Sequence, residues 1–372
     1  MRIALLSSTV DIGNGYGNIT VEYCRALRRK GVDVTLFLPT EERRAAESLG
    51  WDVPMRFVLP RYAFRFSLLT IWPYLRTVDV SGFDVVHSLL DFPYCVIAAR
   101  SAHAYGKPFM MGSQGTYGVV PLTRWLDRHF LMQTYRRSKK IVVPSAFTRD
   151  AILQYAKEEL PIDIIHNGVN FARFSRTVDA SDLRRSLGDR PLLLTVGGLK
   201  DRKGQDLVIR ALPALKKDHP RLLYILVGDG HTRPALEALA RELGVVDMVQ
   251  CVGSKTGDEL LRYFRACDVY VHTPRIHHLT FEGFGIVYLE ASACGKPIVA
   301  TDAGGVRDAV VDAVTGIVVP DGSVPAIAAA IDQLLKNPAE AARMGEEGKK
   351  YAAAHDWSII VDKFTAFYRS LV

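Results

Sequence analysis

Apolar residues along this chain come in short, dense runs, and between the runs they recur every three or four positions. Dense runs bounded by turn residues read as buried strands, and the three-to-four spacing reads as helices that cover them. In the first half the runs fall at 2–7, 32–38, 84–88, 108–112, 140–144 and 162–166. In the second they fall at 191–197, 222–228, 249–252, 268–272, 297–301 and 317–319. Helical patterns lie between them, as at 18–30, 205–218, 232–243 and 285–294. This alternation predicts an α/β fold built on parallel sheets covered on both faces. The halves also echo each other. FDVVHS (83–88) leads to GKPFMMGS (106–113), and CDVYVHT (267–273) leads to GKPIVAT (295–301). Two doubly wound domains are therefore expected, 1–167 and 168–354, with the change-over in the polar, irregular stretch 166–191. The remaining segment, 355–372, reads as a helix with Trp357, Ile360, Phe364 and Phe367 near one face. It has no strand after it to cover, so it is expected to pack back on the first domain.

Length and composition agree with two soluble domains. The chain has 372 residues, 48% apolar and 23% charged, too long for one ordinary core. No apolar run approaches the roughly 18 residues that span a bilayer. The opening MRIALLSSTVD is closed by Asp11 and reads as a strand rather than a signal peptide. The five cysteines are scattered, with no C-x-x-C pair, which points to a reducing cytoplasm and away from disulfides or a zinc site. Charge is uneven: residues 1–185 carry 25 Lys/Arg against 17 Asp/Glu, and residues 186–372 carry 22 against 23. The basic first half is expected to meet something anionic.

Ligands of open parallel sheets bind beyond the carboxyl ends of the strands, and three segments there could carry chemistry. After the first strand, TVDIGNGYGNIT supplies Gly13, Gly15 and Gly17. It is not a dinucleotide fingerprint, because Asn18 stands where the third glycine is required and Pro39 ends the second strand where a ribose-binding acid belongs. A loop against another anionic ligand remains, beside a plain structural turn. In VGGLKDRKGQD, Arg202 and Lys203 follow Gly197-Gly198 and precede a helix, an arrangement suited to diphosphate. In FEGFGIVYLEASACGKPIVATDAGG, Gly285, Ile286 and Val287 open a helix whose first amides lack intrahelical partners. Glu282 lies just before it and Glu290 inside it. On one continuous helix, eight positions would leave the two carboxylates about 80° apart, roughly one face. Carboxylates accept hydrogen bonds from neighbouring hydroxyls, which suits a ribose or sugar diol.

Taken in order, GGLKDRKG, VGDG, RACDVYVHTP and FEGFGIVYLEASACGKPIVATDAGGVRDAV resemble the motifs of the retaining nucleotide-sugar glycosyltransferases of family 4. VVPSAFTRDAI and IHNGVNFARF resemble that family's end of the first domain, so the likeness covers nearly the whole chain. It implies the GT-B fold, two Rossmann-like domains facing a cleft, with the acceptor on the first and the nucleotide-sugar donor on the second. It further implies that Glu290 holds the donor ribose, that Glu282 lies beside the donor sugar, and that Phe284 and the amides of Gly285, Ile286 and Val287 meet the diphosphate. Lys203 then neutralises the leaving diphosphate, and Gly15 belongs to a loop that closes over the phosphates. Two positions depart from the family. Gly198 stands where an arginine is usual, which leaves Arg202 as the second cation. Gln114 stands where many members have a histidine; it can donate to a sugar hydroxyl but cannot act as a base. His87, at a strand end, is a secondary candidate on the acceptor side. The family needs no cofactor, and no D-x-D metal clamp is present, so metal-independent turnover is expected. The resemblance favours UDP-hexose as donor, with GDP-mannose next, and a glycan or lipid-linked acceptor in cell-surface polysaccharide or glycolipid synthesis.

The segment RFVLPRYAFRFSLLTIWPYLR (56–76) bears on the acceptor. As a helix it would put Arg61 and Arg65 one turn apart, interleaved with Phe64, Phe66, Leu68, Leu69 and Trp72. Such a pattern either lies on anionic lipid at the cytoplasmic face of a membrane or packs its apolar face into the core. Among other readings, a GT-B sugar-nucleotide epimerase departs from the glutamate pattern. A non-enzymatic binder of anionic lipid or nucleic acid leaves the second-half motifs unexplained, and no nucleic-acid partner is expected.

Overall fold

The apolar runs form parallel strands in a computed structural model that describes every residue except Phe64 and Asp91. The chain divides into two units, Met1–Asn167 together with Trp357–Val372, and Gly168–Asp356. The first holds β1 (Arg2–Leu6), β2 (Asp33–Pro39), β3 (Met55–Leu59), β4 (Val85–Ser88), β5 (Phe109–Gly112), β6 (Lys140–Val143) and β7 (Ile162–Ile164), in the order β3-β2-β1-β4-β5-β6-β7. The second holds β8 (Leu192–Val196), β9 (Leu223–Val227), β10 (Val249–Gly253), β11 (Val269–His272), β12 (Ile298–Asp302) and β13 (Gly316–Pro320), in the order β10-β9-β8-β11-β12-β13. All pairings between these strands are parallel. The order reverses between β1 and β4 and again between β8 and β11. Loops leaving those strand ends therefore diverge and leave a crevice, the usual place for a ligand in such sheets.

Central strands are apolar on both faces because helices cover both. Leu192, Leu194 and Val196 of β8 enter one core, with Tyr288 and Leu289 of the helix Ile286–Ala293. Leu193 enters the opposite core, with Val208 and Leu212 of the helix Gln205–Lys216. The helix Trp357–Leu371 belongs to the first unit. Its Tyr368 hydroxyl lies 2.7 Å from that of Tyr23, and Phe364 meets the Tyr23 ring edge-on at 4.9 Å. No helix among the described residues is long and apolar enough to cross a membrane.

One element departs from the sequence pattern. Residues 55–59 form the edge strand β3, exposed at Arg56 and Val58. Its exposed and less exposed positions alternate, with Arg56 among them, so the segment lacks the dense run that marks the other strands. The 56–76 segment is therefore not one helix; among its described residues the only helical piece is the short turn Trp72–Leu75. Phe64 lies outside the described residues. Phe66 is buried, whereas Leu68, Leu69 and Trp72 are exposed.

Candidate active site

At the switch point of the second sheet, the loops after β8 and β11 are locked together. Gly204 has φ +69°, and a Cβ there would fall 1.8 Å from the Thr273 carbonyl oxygen. The Thr273 hydroxyl donates to the Gly204 carbonyl at 2.8 Å. Only glycine fits that crossing. The crossing presents the turn Asp201–Lys203 to the segment that follows β11. There Lys203 Nζ lies 2.5 Å from Glu282 Oε2 and Arg202 Nη1 lies 3.2 Å from the same oxygen. Arg202 Nη1 is also 3.4 Å from the Phe281 carbonyl. Glu282 is anchored through its own carbonyl, which accepts from Gly305 N at 2.8 Å.

The cluster is largely withdrawn from solvent, with side chains 15% exposed at Lys203 and 12% at Glu282. Burial works against the charge on Glu282, but the neighbouring Lys203 foremost, together with Arg202, outweighs it and holds the carboxyl well below the usual carboxylate range. Burial likewise lowers the Lys203 pKa, and the Glu282 charge opposes that shift. The result is a compact group of two cations around one carboxylate, fit to receive an anion beside a polyol.

Gly285, with φ +86°, caps the helix Ile286–Ala293, and a Cβ there would strike the Tyr288 ring at 2.6 Å. Phe284 is buried in the core and fixes the approach to this helix. The amides of the first turn, including Ile286 and Val287, have no acceptor within the helix. Glu290 lies in the second turn and is 5% exposed. Glu282 is four residues before Ile286 and in no helix, so the face calculated for a continuous helix does not apply. Gly198 has space around it: a Cβ would make only ordinary contacts, 3.5 Å from Lys200 Cε and 3.8 Å from the Asp229 carbonyl. Nothing steric demands glycine there.

The other sequence candidates lie in the first unit. Gly15 opens the helix Gly15–Arg29 in the loop after β1, with nothing within 4 Å of where a Cβ would stand. Gln114 follows β5, and its Oε1 accepts from Asn167 Nδ2 at 2.9 Å; the amide NH₂ is then its donor end. His87 is wholly buried at the end of β4, with Nδ1 2.6 Å from the Tyr368 hydroxyl and the ring stacked on Phe364 at 6.0 Å. Burial pushes its pKa down to about 3. It joins the C-terminal helix to the first sheet, a structural setting. The roles implied for Gly15 and Gln114 still rest on the resemblance.

Two residues of this chemistry were not singled out from sequence. Asn167, which orients Gln114, stands in the sequence as one polar residue of the domain junction. His272 ends β11, with Nε2 3.7 Å from Glu282 Oε2. The available signal was its place at a strand's carboxyl end, in VYVHTP.

Two doubly wound parallel-sheet units, the second with cations and a glutamate at its switch point, define a GT-B glycosyltransferase. Residues 182–351 match the model of the glycosyl transferases group 1, and residues 13–173 match that of Glycosyltransferase Family 4. The chain is 32% identical over 294 residues to a GDP-mannose-dependent alpha-(1-6)-phosphatidylinositol monomannoside mannosyltransferase of Mycobacterium tuberculosis, covering 74% of this chain and 73% of that one. The enzyme of the same name from Mycolicibacterium smegmatis is 38% identical over 213 residues, and the match spans 56% of each chain. A D-inositol 3-phosphate glycosyltransferase of Frankia alni is 30% identical over 398 residues, 97% of this chain and 95% of that one. The chain belongs to the family-4 glycosyltransferases. Its fold matches that of Anabaena HepE, crystallised with UDP, at a TM-score of 0.81 over 100% of both chains with 20% identity. A glycosyltransferase from Rickettsia africae gives the same TM-score at 17% identity, over 100% of this chain and 98% of that one.

Proposed function

We propose that this chain is a retaining, metal-independent hexosyltransferase that moves mannose from GDP-mannose to a sugar hydroxyl of a lipid-linked acceptor. The observation that carries the reading is the pairing of Lys203 and Arg202 with Glu282 at the second switch point, next to the start of the helix Ile286–Ala293. The two cations neutralise the diphosphate as its bond to the sugar breaks, which lowers the charge cost of departure. Glu282 accepts from hydroxyls of the donor sugar, and Glu290 from the ribose. The acceptor hydroxyl attacks the anomeric carbon on the face from which the diphosphate leaves, and its proton passes to the departing phosphate oxygen. The protein supplies position and charge rather than a covalent nucleophile. The family resemblance by itself favours a UDP-hexose. Two relatives whose names specify GDP-mannose move the preferred donor to that sugar.

A second observation favours an acceptor on a membrane. Leu68, Leu69 and Trp72 are 73%, 90% and 68% exposed, and Trp125 is 77% exposed. Phe66 N donates to Asp127 Oδ1 at 2.8 Å, which joins this loop to the start of the helix Trp125–Arg137. Arg61 and Arg65 are exposed on the same loop. A pocket of about 390 Å³ is lined in part by Arg56 and Pro60, which precede this loop, and by Pro73 and Arg76, which end it. Exposed aliphatic and indole groups with arginines suit an anionic lipid surface.

The test is turnover of GDP-mannose, UDP-glucose, UDP-galactose and ADP-glucose by purified protein with phosphatidylinositol monomannoside as acceptor, with and without EDTA, with the product anomer read by NMR. GDP-mannose should turn over fastest, undiminished in EDTA, with an α-linked product. Turnover confined to a UDP-sugar would correct the donor; loss in EDTA or a β-linked product would contradict the mechanism.

A further inference from the structure

β11 ends on His272, whose side chain is 0% exposed while neither ring nitrogen has a hydrogen-bond partner. Buried polar groups without partners are uncommon and costly, so each one asks for an explanation. Its Nε2 stands 3.7 Å from Glu282 Oε2, just beyond hydrogen-bond reach. The same oxygen already takes Lys203 at 2.5 Å and Arg202 at 3.2 Å. Three nitrogens thus point at one carboxylate oxygen, and the imidazole is the one left out.

We propose that His272 is a positioning residue for Glu282, which takes hold of Oε2 when Lys203 and Arg202 move onto the diphosphate of a bound donor. The inference rests on the donor reading above. A diphosphate carries more charge than one carboxylate and draws both cations toward itself. Glu282, only 12% exposed, would then be a buried anion without a donor. The nearest one is His272 Nε2. Burial lowers the His272 pKa to about 4, so at neutral pH the ring is uncharged and donates through one nitrogen. A neutral donor steadies the carboxylate and leaves its other oxygen for sugar hydroxyls. The strand end is itself held in place: the Tyr288 hydroxyl donates to the His272 carbonyl at 3.0 Å, and the two rings lie 5.3 Å apart. In this account Glu282 has two settings, a partner for the cations without donor and a sugar contact with it.

The experiment compares wild type with His272→Leu and His272→Gln in the full chain, by calorimetric titration with GDP and UDP and by steady-state donor turnover. Nucleotide affinity should stay within about twofold, because the diphosphate contacts are intact. The kcat of His272→Leu should fall about 10- to 100-fold, the value of a hydrogen bond to a charged group. His272→Gln, whose amide can reach the place of Nε2, should recover most of it. If His272→Leu melts below the assay temperature, His272→Asn, too short to reach Glu282, replaces it. Unchanged kcat in the variant lacking Nε2, or equal losses in the Gln and Leu variants, would overturn the inference. Wild-type protein that binds neither nucleotide sinks the donor reading, and this inference with it.

Discussion

Glu282 and Glu290 are eight residues apart in sequence, yet they stand in different surroundings. Glu282 is ion-paired to Lys203 and Arg202 ahead of the helix, and Glu290 is buried in the helix itself. Their substitutions should separate. Glu290→Ala should raise the donor KM by about 10- to 100-fold with little change in kcat, as loss of hydrogen bonds to a bound ribose would. Glu282→Ala should lower kcat by a similar factor and leave the affinity for the nucleotide diphosphate within a few-fold. Steady-state kinetics of both variants checks this, and equal effects on the two constants would return both residues to a purely structural role. The cations and carboxylates were legible in the sequence because each lies in a short local motif after a strand. His272 was not, because its meaning depends on β11 ending beside Glu282, ten residues further along, across a turn whose path no local pattern reveals. His87 is a second case: its partner, Tyr368, is 281 residues away.

At the scale of elements, the C-terminal helix shows how distant segments complete a core. His87 and Tyr23 both meet Tyr368 in a buried polar group between β4, the helix Gly15–Arg29 and the helix Trp357–Leu371. Buried His87 stays neutral down to about pH 3, whereas an unfolded histidine takes a proton below its ordinary value of 6.5. Between those values the unfolded chain binds the extra proton, so stability falls as pH falls, by up to about 1.4 kcal/mol per pH unit. His272 adds a similar slope from 6.5 down to about 4. Urea unfolding between pH 6.5 and 5 should show this loss, and His87→Asn should flatten its share; an identical slope in the variant would count against the burial argument. The dense apolar runs mark the central strands, which are buried on both faces, and also the edge strands β7, β10 and β13. β3 lacks such a run because exposed Arg56 and Val58 alternate with less exposed positions, and its sequence, MRFVL, reads as part of the arginine-rich segment that follows.

For the whole molecule, charge and architecture divide together. The first unit carries 23 Lys/Arg against 16 Asp/Glu, and the second 24 against 24, so the entire excess of +7 belongs to the unit with the exposed Leu68, Leu69, Trp72 and Trp125. Sequence alone suggested the basic bias, but whether 56–76 faced solvent or core required the fold. Binding to vesicles with anionic lipid should exceed binding to neutral vesicles and weaken with salt. Arg61→Glu with Arg65→Glu should weaken it by at least about 30-fold, at roughly 1 kcal/mol per arginine near such a surface. Sedimentation that is indifferent to lipid charge and to the substitutions would contradict the membrane reading.

Lys203 and Arg202, held by Glu282, form the proposed cradle for the diphosphate of a nucleotide sugar. Calorimetric titration of wild type and Lys203→Ala with GDP, GMP and guanosine, and with the uridine series, tests it directly. One nucleoside diphosphate should bind at least about 10-fold tighter than its monophosphate, and Lys203→Ala should erase most of that difference. Equal affinity for diphosphate, monophosphate and nucleoside in wild type, or a preference untouched by Lys203→Ala, would contradict it.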